Sequence, residues 1–194
     1  MPLILPEEGE LSITIAATDP GTTNLGLSFL DIDPITLDLI RVRATSYKSE
    51  RLFDYDPDVI DNHSDRIARV CAQSANLLQQ FRENKPFVIC SESPFFYKFR
   101  PQAYGALMEI LFAIRHAAIS YDKMVRFFLY EPSKVKKALG AGYVGKDTVR
   151  ASVAGNEEIM AALVGSLDDL DEHAIDATCV GYTHLRLMRE ERNK

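Results

Sequence analysis

The sequence predicts an α/β fold, a mixed five-stranded sheet flanked by helices, in which three meandering strands precede βα alternation. Three observations carry this expectation. The apolar runs Ile13–Thr18, Leu25–Asp31 and Leu37–Thr45 follow one another with only turn residues between them. Two later apolar runs, Phe87–Cys90 and Val125–Tyr130, each stand between segments of helical periodicity. The 194 residues, 46% of them apolar and 26% charged, suit a single domain spanning 1–194 with a real core. Residues 1–10 and 189–194 are read as an N-terminal tail and a charged C-terminal tail.

The first strand runs into Thr18-Asp19-Pro20-Gly21-Thr22-Thr23-Asn24-Leu25-Gly26, where a Pro-Gly turn returns the chain into the second. A carboxylate at the end of a buried strand is costly unless it is paired or bound to metal. Gly21 and the small hydroxyl residues after it leave room for something bulky and charged to approach the backbone. A metal-bound nucleic acid and a nucleotide phosphate both fit at this point. Asp31 to Pro34 gives the second link, and the polar stretch Tyr47 to Asn62 reads as a loop. Its Asp54, Asp56 and Asp58 have the spacing of a calcium loop. Pro57 interrupts them, Val59 takes the glycine position and no Glu closes the loop, so that site is excluded.

From about Ser64 a helical stripe runs through Ile67, Val70, Cys71, Leu77, Leu78 and Phe81. Pro86 restarts the chain into the fourth strand, which ends at Ser91-Glu92. Pro101 opens a helix to about Tyr121, apolar on more than one side and therefore expected to be buried. After the fifth strand, Pro132 and Ser133 start a short helix through Leu139. Residues 140–146 form a loop, a helix follows from about Asp147, and the last helix runs from Asp168 or Asp169 to Arg192.

The N-terminus lacks a basic start, and the apolar stretch Ala103–Tyr121 is broken by Glu109, Arg115 and His116. These features predict neither signal peptide nor membrane span, hence a cytoplasmic protein. Cys71, Cys90 and Cys179 are widely spaced and read as reduced thiols. The net charge of −6 is unevenly spread. Residues 1–81 carry −7, residues 82–150 carry +6 and residues 151–194 carry −5. A basic middle third between acidic flanks is what a localised phosphate-binding face looks like.

Asp19 closes strand one and Glu92 closes strand four, so neighbouring strands would bring both to one end of the sheet. A third acidic group, Asp171-Glu172-His173-Ala174-Ile175-Asp176, opens the last helix, with His173 and Asp176 on one face. Clustered carboxylates repel unless a cation neutralises them. Their oxygens are the ligands that Mg²⁺ or Mn²⁺ prefers, and two such ions can clamp a phosphodiester under attack by water.

DPGTTNLG after a strand, a strand ending in SE with aromatics beyond it, and EHAIDATCVGYTH on the last helix together resemble the RuvC family of Holliday junction resolvases. The resemblance runs from Ile13 to His184 and includes YEPSKVKKALGAGYVGKDTV as a basic segment. It implies a ribonuclease H-like fold and a homodimer that cuts four-way junctions, flaps or forks with Mg²⁺, Mn²⁺ being a substitute. It also implies Asp19, Glu92 and Asp176 as metal ligands. The family commonly has Asp three residues before the last of these; His173 stands there, a metal ligand or proton shuttle, with Glu172 and Asp171 as alternatives.

Beyond Glu92, Phe95, Lys98 and Arg100 belong to a run that interleaves aromatics with cations, suited to unpaired bases. Lys134, Lys136, Lys137 and Lys146 would contact phosphates. The GAGYVG before Lys146 satisfies GxGxxG but follows a lysine-rich helix rather than a first strand, so a dinucleotide site is not predicted. The competing reading is an actin-like ATPase or sugar kinase, whose first phosphate loop DPGTTN also resembles. It needs a second domain and a second glycine-rich loop, and neither is evident. A DNA-binding module that no longer cuts would not need the full acidic set.

Overall fold

In the computed structural model, β1 (Ile13–Asp19) and β2 (Asn24–Ile32) pair antiparallel across the Pro-Gly turn, with Asp19 opposite Gly26. The residues described are 12–49, 57–94, 101–140 and 146–194, without the side chains of 101, 102, 146 and 147. β3 (Leu39–Lys48) pairs antiparallel with β2, while β4 (Val88–Glu92) and β5 (Arg126–Tyr130) join β1 in parallel. The sheet order is β3-β2-β1-β4-β5. This is the expected meander followed by βα alternation.

The period of two along each strand gives the sheet two buried faces. Ala16, Leu25, Leu27, Phe29 and Ile89 pack against α2 (Asp65–Asn84) and α3 (Pro101–Tyr121). Ile15, Ala17, Leu30, Val88 and Cys90 face the other way, toward α4 (Pro132–Ala138), α5 (Lys146–Ala154), α6 (Glu157–Ala162) and α7 (Glu172–Arg192). Asp31 is a buried charge at the far end of β2, satisfied by Arg41, Arg43 and the Thr14 hydroxyl. Among the described residues, no helix is long and apolar enough to cross a membrane.

Four expectations change. The segment read as a loop from Tyr47 begins as the end of β3, and Pro57 opens a helix, α1 (Pro57–His63), because its fixed φ suits a first helical turn. Asp54 and Asp56 lie outside the described residues, and Asp58 is in the first turn of α1. Leu37 belongs to a turn at φ 64°, with the Asp33 carboxylate accepting the Ile35 and Thr36 N–H groups, so β3 starts two residues later. The helix after residue 146 breaks at Gly155, and Asn156 caps the separate α6.

The last helix starts at Glu172, not at Asp168. Asp168 and Asp169 form a 3-10 turn, Leu167–Asp169, and the Asp171 carboxylate caps α7 by accepting the Ala174 N–H at 3.0 Å. Of the segment expected as a charged tail, Arg189 to Arg192 are helical. The Arg189 side chain is paired with Glu158 and donates to the Leu37 carbonyl. Residues 1–11 lie outside the described set.

Candidate metal centre

Parity along the strands decides which way the candidate carboxylates point. Asp19 continues the Ile15, Ala17 series and Glu92 continues the Val88, Cys90 series, so both aim at the α7 face. β1 and β4 are parallel neighbours with Thr18 beside Ser91, and the next residues on the two strands are Asp19 and Glu92. One end of two adjacent strands therefore carries both carboxylates.

The third comes from α7, which lies close on the sheet because two positions have no side chain. A Cβ on Gly26 would meet the His173 carbonyl oxygen at 2.0 Å, and one on Gly181 would meet Leu30 Cδ1 at 2.6 Å. Gly26 thus fixes the first turn of α7 over the end of β1. Gly26→Ala is expected to push that turn away, costing about 3 kcal/mol and roughly 10 °C in Tm. Gly105, inside α3, has nothing within 4 Å of a built Cβ. Gly105→Ala should instead raise Tm by a few degrees through helix propensity, and thermal unfolding of the two variants checks both signs.

His173 Nδ1 lies 2.7 Å from Asp19 Oδ2, with the ring nitrogen donating to the carboxylate. That bond raises the His173 pKa above its usual 6.5, burial opposing it. Asn24 Nδ2 stands 3.4 Å from His173 Nε2. Glu92 is pushed up to about 8, first by burial and then by the charges of Asp19 and Asp176; the Lys136 ammonium opposes both. Asp176 is pushed up to about 6 by burial and by Asp19, with His173 and Lys136 opposing. These shifts show that Glu92 and Asp176 both feel the Asp19 charge, and that Lys136 and His173 only partly offset burial and repulsion.

Hard carboxylate oxygens in such an environment suit a divalent cation. Among the described residues, no three His, Cys, Asp or Glu side chains are already gathered tightly enough to enclose one ion. The donor set itself, three carboxylates with a histidine beside them, fits such an ion by its chemistry.

Of the alternatives to His173, Asp171 is engaged elsewhere. It caps α7 and accepts the Ser46 hydroxyl. Burial works to raise its pKa, but these hydrogen bonds outweigh it and hold the carboxyl below its usual range. Glu172 lines, with Glu92, Asp176, Lys136 and Arg150, a cleft of about 350 Å³ between α4, α5 and α7. Lys136 is thus part of the acidic cleft, whereas Lys134 and Lys137 line a separate groove on the other side of α4. Phe95, Lys98 and Arg100 lie outside the described residues, and the Lys146 side chain is likewise not described, although its backbone opens α5.

Three supporting residues escaped the sequence reading. Asn24 lies within DPGTTNLG but gives no sign there that it will meet a histidine 149 positions on. Ser46 reaches Asp171 from β3, and Arg150 donates to the Leu167 and Leu170 carbonyls, holding the chain that leads into α7. These are long-range contacts between ordinary polar residues, which no local pattern marks.

No family model matches the chain, nor does any curated protein. Solved structures do. The chain is similar to Thermus thermophilus RuvC in complex with Holliday junction substrate, at 25% identity and TM-score 0.69 over 92% of this chain and 96% of that one. The structure of Thermus thermophilus RuvC matches at 24% identity and TM-score 0.66, covering 92% and 97% of the two chains. The yeast mitochondrial Holliday junction resolvase Ydc2 matches at 14% identity and TM-score 0.59, covering 93% and 81%. The mixed sheet between its two helical layers is thus the ribonuclease H-like fold, and the chain is similar in structure to RuvC over nearly its whole length.

Proposed function

We propose that this chain is an endonuclease that resolves Holliday junctions, and by the same chemistry other branched DNA, by hydrolysing phosphodiester bonds. The observation that carries the reading is the convergence of Asp19, Glu92 and Asp176 at one end of a RuvC-like sheet. Dependence on divalent metal goes with that fold; two Mg²⁺ ions, with Mn²⁺ as a substitute, are the finer reading. Asp19, Glu92 and Asp176 would hold them, with His173 or Glu172 as the fourth group. When bound, the metal supplies positive charge for the phosphate oxygens and lowers the pKa of water to make a nucleophile.

The chain's own groups do the rest. Asp19 orients His173 through Nδ1, which makes Nε2 of the neutral ring the acceptor; it faces the Asn24 amide at 3.4 Å, a long contact that a proton or cation would displace. Asn24 and Gly26 fix where that ring sits. Lys136 places a positive charge beside Glu92 and Asp176 in the cleft, where a phosphate would enter. Pairing into a homodimer is supported by α3, where Met108, Phe112 and Ile119 stand exposed. At about 100° per residue they fall within roughly 40° on one stripe of the helix. Two sites in a dimer would place paired cuts across a junction, and a bacterial cell or phage-infected host would supply a cytoplasmic setting.

The test is cleavage of a labelled four-way junction beside linear duplex and flap DNA, with and without Mg²⁺. Symmetrical nicks that need both metal and Asp19, the latter judged with Asp19→Asn, are expected. Intact DNA together with metal-dependent ATP hydrolysis would overturn the reading.

A further inference from the structure

The basic segment of the middle third does not act as one surface. On α4, Lys134 and Lys137 are separated by roughly 60° around the helix axis, whereas Lys136 lies about 160° from Lys134. Val135, buried in the core, anchors the helix between these faces. Lys136 accordingly joins Glu92 and Asp176 in the acidic cleft. Lys134 and Lys137 face a different groove, of about 290 Å³, which α7 completes with Arg186 and Glu190. The sequence pattern had not singled out Arg186.

This groove has the chemistry of a backbone-binding site. Its charged side chains are three cations and one anion, in a chain whose net charge is −6. Two of the cations are positioned by other contacts. The Arg186 guanidinium donates through Nη1 to the Ala138 carbonyl at the end of α4, which fixes its plane and leaves further N–H donors for a ligand. The Lys134 ammonium rests 5.5 Å from the centre of the Tyr130 ring. Arg186 follows Asp176 by ten residues on the same helix, so the groove lies about 15 Å along α7 from the metal centre. At about 3.4 Å of rise per nucleotide, that is four or five nucleotides along a DNA strand.

We propose that Lys134, Lys137 and Arg186 form a second phosphate-binding groove. It holds the sugar-phosphate backbone of a DNA arm while the branch point lies at the acidic cleft. The assignment rests on the nuclease reading of that cleft. Contacts of this kind fix register and orientation without reading bases, which suits an enzyme that selects structure. Glu190 at the rim of the groove limits its attraction for phosphate.

The test is junction binding in metal-free buffer across a salt series, using the full chain. Lys137→Ala/Arg186→Ala is expected to weaken binding about tenfold and to lower the salt slope by about 2, one phosphate contact for each cation removed. Glu190→Gln should tighten binding a few-fold, which no loss of folding can imitate. Arg82→Ala/Lys85→Ala removes the same charge at the exposed end of α2 and should leave the slope unchanged. Equal losses for the two double variants, or no loss for the groove variant, would overturn the groove. Failure of the unaltered chain to bind any branched DNA would instead overturn the nuclease reading on which it rests.

Discussion

Glu92→Gln is expected to end junction cleavage and, in the same protein without metal, to raise its thermal stability at pH 8. The first effect follows from the proposed role of Glu92 as a hard anionic metal ligand. Several kcal/mol of transition-state stabilisation are at stake, a fall in rate of roughly 10³-fold or more. The second follows from burial. Glu92 has its pKa pushed up to about 8 from 4.5, so the folded protein binds this proton more tightly than the unfolded chain does. Its contribution to stability is therefore intact below pH 4.5 and is lost progressively as pH rises to about 8.

Above that pH the folded state holds a charge that burial and two neighbouring carboxylates disfavour, a cost on the order of 3 kcal/mol. Glutamine is neutral at every pH and escapes it. A Tm gain of roughly 5–10 °C at pH 8, vanishing near pH 4, is the expected signature in thermal unfolding. Added Mg²⁺ should narrow the gap by stabilising the unaltered protein more than the variant. A variant that cleaves normally, or one that is no more stable at pH 8, would remove Glu92 from the centre.

Much of this centre was legible because strands obey a period of two. An apolar run that ends in a carboxylate commits that carboxylate to a definite face, and Asp19 and Glu92 each follow such a run. Once β1 and β4 pair in parallel, the two must meet at one end. Asp176 was legible from the acidic group that opens the last helix and from the face it shares with His173, but what sets that helix down was not. Gly26 looked like part of a turn, and its use is to admit the His173 carbonyl from the far end of the chain.

The limits of local pattern appear again at Asp171 and α4. Asp171, Glu172 and Asp176 are equally acidic in sequence, and only the start of α7 makes the first of them a cap. The three lysines of α4 read as one cluster until the helix period separates Lys136 from the others. α1 was missed because an acidic, proline-bearing stretch reads as loop, although proline at a first helical position is favourable.

His173→Ala is expected to lower cleavage by roughly 10²-fold to 10³-fold, the range for a group that moves a proton or completes a metal site. The structure gives His173 two separable tasks. Through Nδ1 it donates to Asp19 at 2.7 Å, and through Nε2 a neutral ring can accept. His173→Asn keeps a donor that can reach toward Asp19 but offers no basic nitrogen. His173→Asp reverses this: it loses the donor and places a carboxylate in the first turn of α7, where the helix dipole favours negative charge. If the second task dominates, the Asp variant should cleave far better than the Asn variant in single-turnover assays. The raised His173 pKa supplies a further check, since a protonated ring can neither accept a proton nor bind a cation. Cleavage by the unaltered protein should therefore fall as pH drops through and below that pKa, and the Asp variant should keep more of its rate there. An Asn variant as active as the original would reduce His173 to a hydrogen-bond donor that orients Asp19, and the fourth position of the centre would then pass to Glu172, the remaining acid on α7 that lines the cleft.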